Sequence, residues 1–300
     1  FPTRRSSDLL TSLTLTWNHA VIDCSYMFYN LDSITSIDLE NFDFSKINNT
    51  EKMFAECHNL KTISFPKNAL KLSIIDMNHM FYNCISLTAL TNFAKLEFSS
   101  VKNISAMFYN CKLLKSLTIN NMNTENVLNA SYMFYSCNSL ASIDLSTFKM
   151  PKVLDISYMF YNCAKLKILN LSNFNSSKII NIDSIFENCN SITSFDMSNF
   201  NFINISLSNK LFQSLNNLEF FKFSNINISI NSNSDITNLF INNYNLESLY
   251  LNNFNAKYSV VSMETLFFNL TLLKMWKYQT AARYSHYTHS YRKMQSWLFQ

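Results

Sequence analysis

The sequence predicts an α/β solenoid of about ten units of 26–28 residues, with short parallel strands on one face and short helices on the other. Two observations predict it. A Met-Phe pair, or Ile-Phe or Leu-Phe in its place, recurs at Met27-Phe28, Met53-Phe54, Met80-Phe81, Met107-Phe108, Met133-Phe134, Met159-Phe160, Ile185-Phe186, Leu211-Phe212, Leu239-Phe240 and Leu266-Phe267. Those ten marks lie 26 to 28 residues apart, and even self-similarity of this period signals units that bury their apolar faces by stacking. Each unit also combines a segment of strand-like alternation with one of helix-like spacing.

The unit that starts at Met159 shows the elements in order. Leu166, Leu169 and Leu171 form L-x-x-L-x-L, and the alternation at Leu169 and Leu171 places Asn170 on the opposite face of a short strand. Phe174 follows across a turn. Ile179, Ile182, Ile185, Phe186 and Cys189 then fall at intervals of three, three, one and three, the face of a helix of about three turns. The chain turns back into the next unit.

Composition excludes several chemistries. The 300 residues contain no glycine, where average usage would give roughly 21. A Walker phosphate loop, a dinucleotide-binding turn, a G-x-S-x-G elbow and an EF-hand loop all need glycine for positive φ or close backbone approach, so none is present. The body is rich in Asn, Lys, Ile, Phe and Tyr, residues of AT-rich codons, so the absence reflects coding composition as well as structure. No apolar run approaches the ~20 residues of a membrane span. The net charge of +4 belongs to the ends, because residues 10–278 hold 19 lysines against 19 acidic residues. Residues 1–9, FPTRRSSDL, resemble the read-through translation of a sequencing adapter and are expected to lie outside the fold. Residues 279–300 bring arginine, histidine and glutamine and are expected to be an atypical tail, leaving 10–278 as the array. An N-terminal cap is then expected to be missing, exposing apolar surface on the first unit.

The repeats MFYNCISL (80–87), MFYSCNSLASIDLSTF (133–148) and IFENCNSITSFDMSNF (185–200) resemble leucine-rich repeats, and more closely the BspA-like surface family. The likeness runs over almost the whole of 10–278. That family usually has glycine before the cysteine, and here Asn83, Asn110, Asn162 and Asn188 stand there. Asparagine tolerates the left-handed region best among non-glycine residues, so positive φ is expected at all four, at the helix ends. The first unit, Leu10, Leu13 and Leu15 with Asn18, reads as an ordinary leucine-rich unit. Later units carry phenylalanine at that asparagine's place, so an aromatic ladder is expected instead.

Six cysteines, Cys57, Cys84, Cys111, Cys137, Cys163 and Cys189, share one register four residues after the Met position. Leu215 and Leu270 take that position later, which marks a core site and a reduced ladder of small apolar side chains. Stacking at about 5 Å leaves pairing geometrically open. No metal-ligand spacing is present. Tyr26, Tyr29, Tyr82, Tyr109, Tyr132, Tyr135, Tyr158 and Tyr161 recur around the Met-Phe pair. They flank the packing seam with wet hydroxyls, or they form an outer aromatic contact stripe. Histidines His19, His58, His79, His286 and His289 share no register and have no nucleophile at catalytic spacing. Sequons at Asn48, Asn103, Asn129, Asn170, Asn175, Asn204, Asn227 and Asn269 are of the number expected by chance in so asparagine-rich a chain.

The resemblance implies a concave sheet that serves as an extended binding face. Its outward mid-strand residues are Asp38, Ser64, Thr91, Thr118, Asp144, Asn170, Asp196, Lys222 and Tyr250. Of these, Asp38, Thr118, Asp144, Asn170, Asp196, Lys222 and Tyr250 are the candidate contact residues. A merely solvated sheet is the other reading of the same positions. The resemblance implies a non-enzymatic cell-surface or secreted adhesion module. Its partner is expected to be a protein or glycan on a host or neighbouring cell, not nucleic acid, with no cofactor, metal or catalytic residue. Two alternatives stand beside it: an intracellular scaffold for protein contacts, its cysteines reduced, and the repeat region of a larger enzyme.

Overall fold

The computed structural model of the chain describes residues 20–98, 100–119, 122–171, 173–174, 177–197, 203–205, 212, 215–224, 227–229, 240, 242–252, 255–257, 270 and 272–279. The expectations for residues 1–9, for the unit Leu10 to Asn18 and for residues 280–300 lie outside these.

All strand pairing is parallel, and it runs from coil to coil. Strands Ser36–Asp38, Thr62–Ser64 and Ala89–Thr91 form one sheet in register, and Ser142–Asp144 pairs with Ile168–Asn170. Strands Ser194–Asp196, Phe220–Ser224, Ser248–Asn252 and Met275–Gln279 continue the same position in a four-stranded sheet. A second line of pairing joins Leu70–Leu72 to Leu96–Phe98, and later Ile203–Ile205, Asn227–Ser229 and Asn255–Lys257. A third consists of single-residue bridges, Asp23 to Asn49, Asp76, Asn103, Asn129, Asp155 and Asn181, through seven consecutive coils. The result is a parallel β-solenoid of leucine-rich-repeat type.

The helical half of the expectation is corrected. No α-helix occurs among the described residues, and the one helical element is a single 3₁₀ turn, Phe93–Lys95. Backbone hydrogen bonding explains why. Around Met53, alternate N–H groups of Thr50, Lys52, Phe54 and Glu56 donate to carbonyls of Asp76, Asn78, Met80 and Tyr82 in the next coil, at 2.8–3.0 Å. The intervening N–H groups of Met53 and Ala55 donate to Thr50 and Lys52 three residues back, at 3.2 and 3.1 Å. An α-helix would spend every one of those donors four residues back along its own chain. Successive three-residue turns instead share them between coils, leaving no buried donor orphaned.

This path requires two left-handed residues per coil. One precedes the Met position, as at Tyr26 (φ 57°), Lys52 (50°), His79 (54°), Ala106 (52°), Tyr132 (58°), Tyr158 (56°) and Ser184 (52°). The other lies three after it: Asn83 (57°), Asn110 (59°), Asn162 (57°) and Asn188 (64°), with Asn30, Glu56 and Ser136 in other coils. Positive φ at the four asparagines matches the expectation, although they end turns and not helices.

The core is a column of rings. Phe28, Phe54, Phe81, Phe108, Phe134, Phe160 and Phe186 stack with centroids 5.1–5.6 Å apart and planes within 11° of parallel. All seven are buried, together with Leu60, Leu87, Leu114, Leu140 and Leu166. The aromatic ladder therefore stands at the Met-Phe phenylalanine. Phe148 and Phe174, at the leucine-rich asparagine's place, are buried beside it.

Candidate binding surfaces

Strand alternation sets the first surface. In the three-residue strands of the first line the middle side chain points into the core, as Ile63 and Ile143 do, and its neighbours point out. Asp38, Asp144, Asn170 and Asp196 are exposed, and Lys222 and Tyr250 are half-buried. Register brings them together in groups. Asp38 stands beside Ser64 and then Thr91, Asp144 beside Asn170, and Asp196 beside Lys222 and then Tyr250. Thr118 is exposed but lies in a segment without strand pairing, where the column is interrupted.

Local bonds fix the carboxylates of this column. The Asp38 and Asp144 carboxylates accept the N–H of Glu40 and of Ser146, each at 2.9 Å. The Ser146 N–H, then its hydroxyl, with the Asn170 amide after them, hold Asp144 below the ordinary carboxylate value, so it is charged at neutral pH. Lys222 Nζ donates to Asp196 Oδ2 at 3.1 Å, and the Phe220 ring tilts against Tyr250 at 5.5 Å. The face thus runs from acidic and hydroxylic residues at Asp38 to an aromatic and cationic group at Lys222 and Tyr250.

The tyrosines form a second surface on the turns. Tyr82, Tyr109, Tyr135 and Tyr161 stack at 4.5–4.7 Å, and Tyr132 stacks on Tyr158 at 4.7 Å. The two columns meet at 5.8 Å through Tyr132 with Tyr135 and Tyr158 with Tyr161. Tyr26, Tyr29 and Tyr132 are exposed, 36–47% of each being accessible, and the other five are half-buried. Burial first, then the neighbouring phenols Tyr135 and Tyr82, push the Tyr109 hydroxyl up to about 12.

The cysteines are all free and buried. They do more than fill space: Sγ of Cys57, Cys84, Cys111, Cys137, Cys163 and Cys189 lies 2.9–3.2 Å from the carbonyl of the Phe one coil earlier, donating to it. Asn243 holds the same register, four residues after Leu239. Its amide donates to the Phe212 and Phe240 carbonyls, both at 2.8 Å, while its oxygen accepts the Leu215 N–H at 3.1 Å. Burial pushes Cys57 up to about 11 and Cys137 and Cys189 up to about 12. Such thiols stay protonated and are poor nucleophiles.

One ladder escaped the sequence reading. Asp23, Asn49, Asp76, Asn103, Asn129, Asp155 and Asn181 each accept, through Oδ1, the N–H two residues on, at 2.7–3.2 Å. These are Asx turns that start the turn segment. The signal was present: Asp or Asn stands four residues before the Met position in every one of these coils. Two of the sequons belong to it, since the Ser105 and Ser131 hydroxyls donate to Asn103 and Asn129 Oδ1 at 2.8 Å. Asn175 and Asn269 lie outside the described residues, as do His19, His286 and His289. His58 stands between Asp32 and Glu56, at 2.8 and 3.2 Å. His79 packs on Tyr82 at 5.1 Å, and burial lowers its pKa. Among the described residues no three His, Cys, Asp or Glu side chains are arranged to hold a metal ion.

A family model described as "BspA type Leucine rich repeat region (6 copies)" matches residues 6–98. A second, described as "Mycoplasma protein of unknown function, DUF285", matches residues 75–194 and 143–254, more than half of the chain. The chain is a BspA-like leucine-rich-repeat protein of the DUF285 family. No curated protein matches it. Among solved structures this BspA-like chain is similar to a leucine rich cell surface protein from Faecalibacterium prausnitzii A2-165, at 13% identity over 94% of this chain and 87% of that one, TM-score 0.29. A leucine-rich repeat protein from Eubacterium ventriosum ATCC 27560 matches at 12% identity over 82% and 73% of the two chains, TM-score 0.25. A TLR13–ssRNA13 complex matches at 15% identity over 85% of this chain and 48% of that one, TM-score 0.30. No helix among the described residues is long and apolar enough to cross a membrane.

Proposed function

We propose that this BspA-like solenoid is a non-enzymatic adhesion module at a cell surface, which binds a protein or glycan ligand through its strand face. One observation carries the reading: outward side chains of successive parallel strands stand in register on a face whose backbone donors and acceptors are already paired. Such a face adds affinity through side chains alone, in small increments per coil. Asp38, Thr118, Asp144, Asn170, Asp196, Lys222 and Tyr250 supply those contacts. The surface location rests on the BspA-type family match.

Charge reversal tests it. Asp144→Lys with Asp196→Lys, assayed against a glycan array and immobilised matrix proteins, is expected to abolish the wild-type signal. Unchanged binding, together with loss on Tyr135→Ala and Tyr161→Ala, would assign the ligand to the turns instead.

A second reading, an intracellular scaffold for protein contacts, is favoured by one observation, the seven free buried thiols. Biotinylation of intact cells with a membrane-impermeant reagent separates the two. Labelled chain supports the surface module, and label-free chain in cells whose known surface proteins are labelled supports the scaffold.

A further inference from the structure

We propose that the turn face is a second docking surface, for a lysine- or arginine-bearing polypeptide. The face comprises the eight positions from Asp23 to Asn30 and their counterparts in the next six coils, as far as Asn188.

Charge is unevenly divided between this face and the rest of the solenoid. Over residues 20–189 the chain carries 14 lysines and 14 acidic residues. Seven of the acidic residues (Asp23, Glu51, Glu56, Asp76, Asp155, Asp183 and Glu187) stand on the turn face, against one lysine, Lys52. The lysines are therefore concentrated elsewhere, and the turn face is acidic in a chain whose total is basic. The same positions carry the six tyrosines of the two columns, with Tyr26 and Tyr29 before them. An anionic partner is repelled by this array. Within the four-ring stack the tyrosines cover one another's faces at 4.5–4.7 Å, which removes the flat platform a sugar ring needs.

The chain itself shows how a cation sits here. Lys52 Nζ donates to the Tyr26 hydroxyl at 2.9 Å, lies 5.1 Å from that ring's centroid and 3.6 Å from Glu51 Oε1. Tyr26, Glu51 and Lys52 have counterparts further along the solenoid. Tyr158 stands in the place of Tyr26, Asp183 in that of Glu51, and Ser184 in that of Lys52. One coil earlier the trio is Tyr132, Ser157 and Tyr158, with Asp155 two residues before Ser157. Phenol and carboxylate recur there without the lysine. Among the described residues no lysine or arginine pairs with Asp155, Asp183 or Glu187. Burial first, then the Tyr158 phenol and the Asp155 carboxylate, with Tyr135 and Asp183 after them, raise the Tyr132 hydroxyl. A partner's ammonium or guanidinium completes the arrangement that Lys52 completes internally.

The test is a titration of the full chain with an octa-arginine peptide, at low and high ionic strength, followed by calorimetry. Binding is expected at low salt and should weaken as salt rises. The triple variant Asp155→Asn, Asp183→Asn, Glu187→Gln should weaken it about tenfold. Asparagine keeps the Asx turn at 155, as Asn103 and Asn129 do in their coils. Lys52→Ala, at a half-buried position, should strengthen binding or add a site by freeing Tyr26 and Glu51. The control triple Asp38→Asn, Asp144→Asn, Asp196→Asn removes equal charge from the strand face and should leave affinity within twofold. No binding at low salt overturns the proposal. So does an equal loss in the control triple, which would reduce the effect to net charge. Absence of binding at low salt leaves the strand face untouched as a ligand site.

Discussion

Asparagine at the end of most turn segments holds a conformation that costs most residues energy. A left-handed residue other than glycine or asparagine is disfavoured by about 1–2 kcal/mol. Asn110, with φ 59°, also donates to Asn83 Oδ1 at 2.8 Å. Asn110→Ala and Asn110→Gly both delete that bond, so their difference isolates the backbone. The alanine variant should be less stable than the glycine variant by about 1 kcal/mol in urea unfolding. Equal stability would show that the side-chain bond, and not φ, selects asparagine. These four positions were legible because a short polar side chain stands where related repeats carry glycine. Tyr26, Tyr132 and Tyr158 were not, since nothing about tyrosine favours positive φ. The bonds from their N–H groups to the next coil impose it.

Turn segments show where periodicity misleads. Ile179, Ile182, Ile185, Phe186 and Cys189 follow the spacing of a helix face, yet successive three-residue turns place the same positions inward. Apolar spacing reports which side chains face the core. It is silent on whether a donor bonds within its coil or to the next one. The strands were easier to read, because alternation at Leu169 and Leu171 has no competing structure, and the strand Ile168–Asn170 stands there. The same alternation turns Asp38, Asp144, Asn170 and Asp196 outward, at the ends of their strands and not in the middle, while Thr118 lies in a segment that forms no ladder. At this scale the phenylalanine stack is the main apolar contribution. Phe108→Ala removes a fully buried ring between Phe81 and Phe134 and should cost about 3–5 kcal/mol. Tyr109→Ala, in the half-exposed column one residue on, should cost markedly less. Equal losses in thermal unfolding would mean that the outer stack carries as much of the fold as the inner one.

Across the whole molecule, the coils are tied by parallel backbone ladders, a phenylalanine column and thiols that donate to the preceding coil's carbonyls. The thiols make stability depend on pH in a defined direction. Burial raises their pKa values above that of an unfolded cysteine. In the alkaline range the unfolded chain has therefore lost protons that the fold retains. Stability is full below about pH 8.5 and falls as pH rises toward the folded values, by up to about 1.4 kcal/mol per pH unit for each thiol. Urea midpoints should decline steeply above that pH, and a variant with Cys111, Cys137 and Cys163 replaced by alanine should show a shallower decline. Both faces are carried by a β array whose outer segments are stacked turns. Far-UV circular dichroism of the folded chain tests it most directly. The expected spectrum is one of strands and turns, without the double minimum of α-helix. A helical signal of the size that a short helix in each of ten units would give would contradict it.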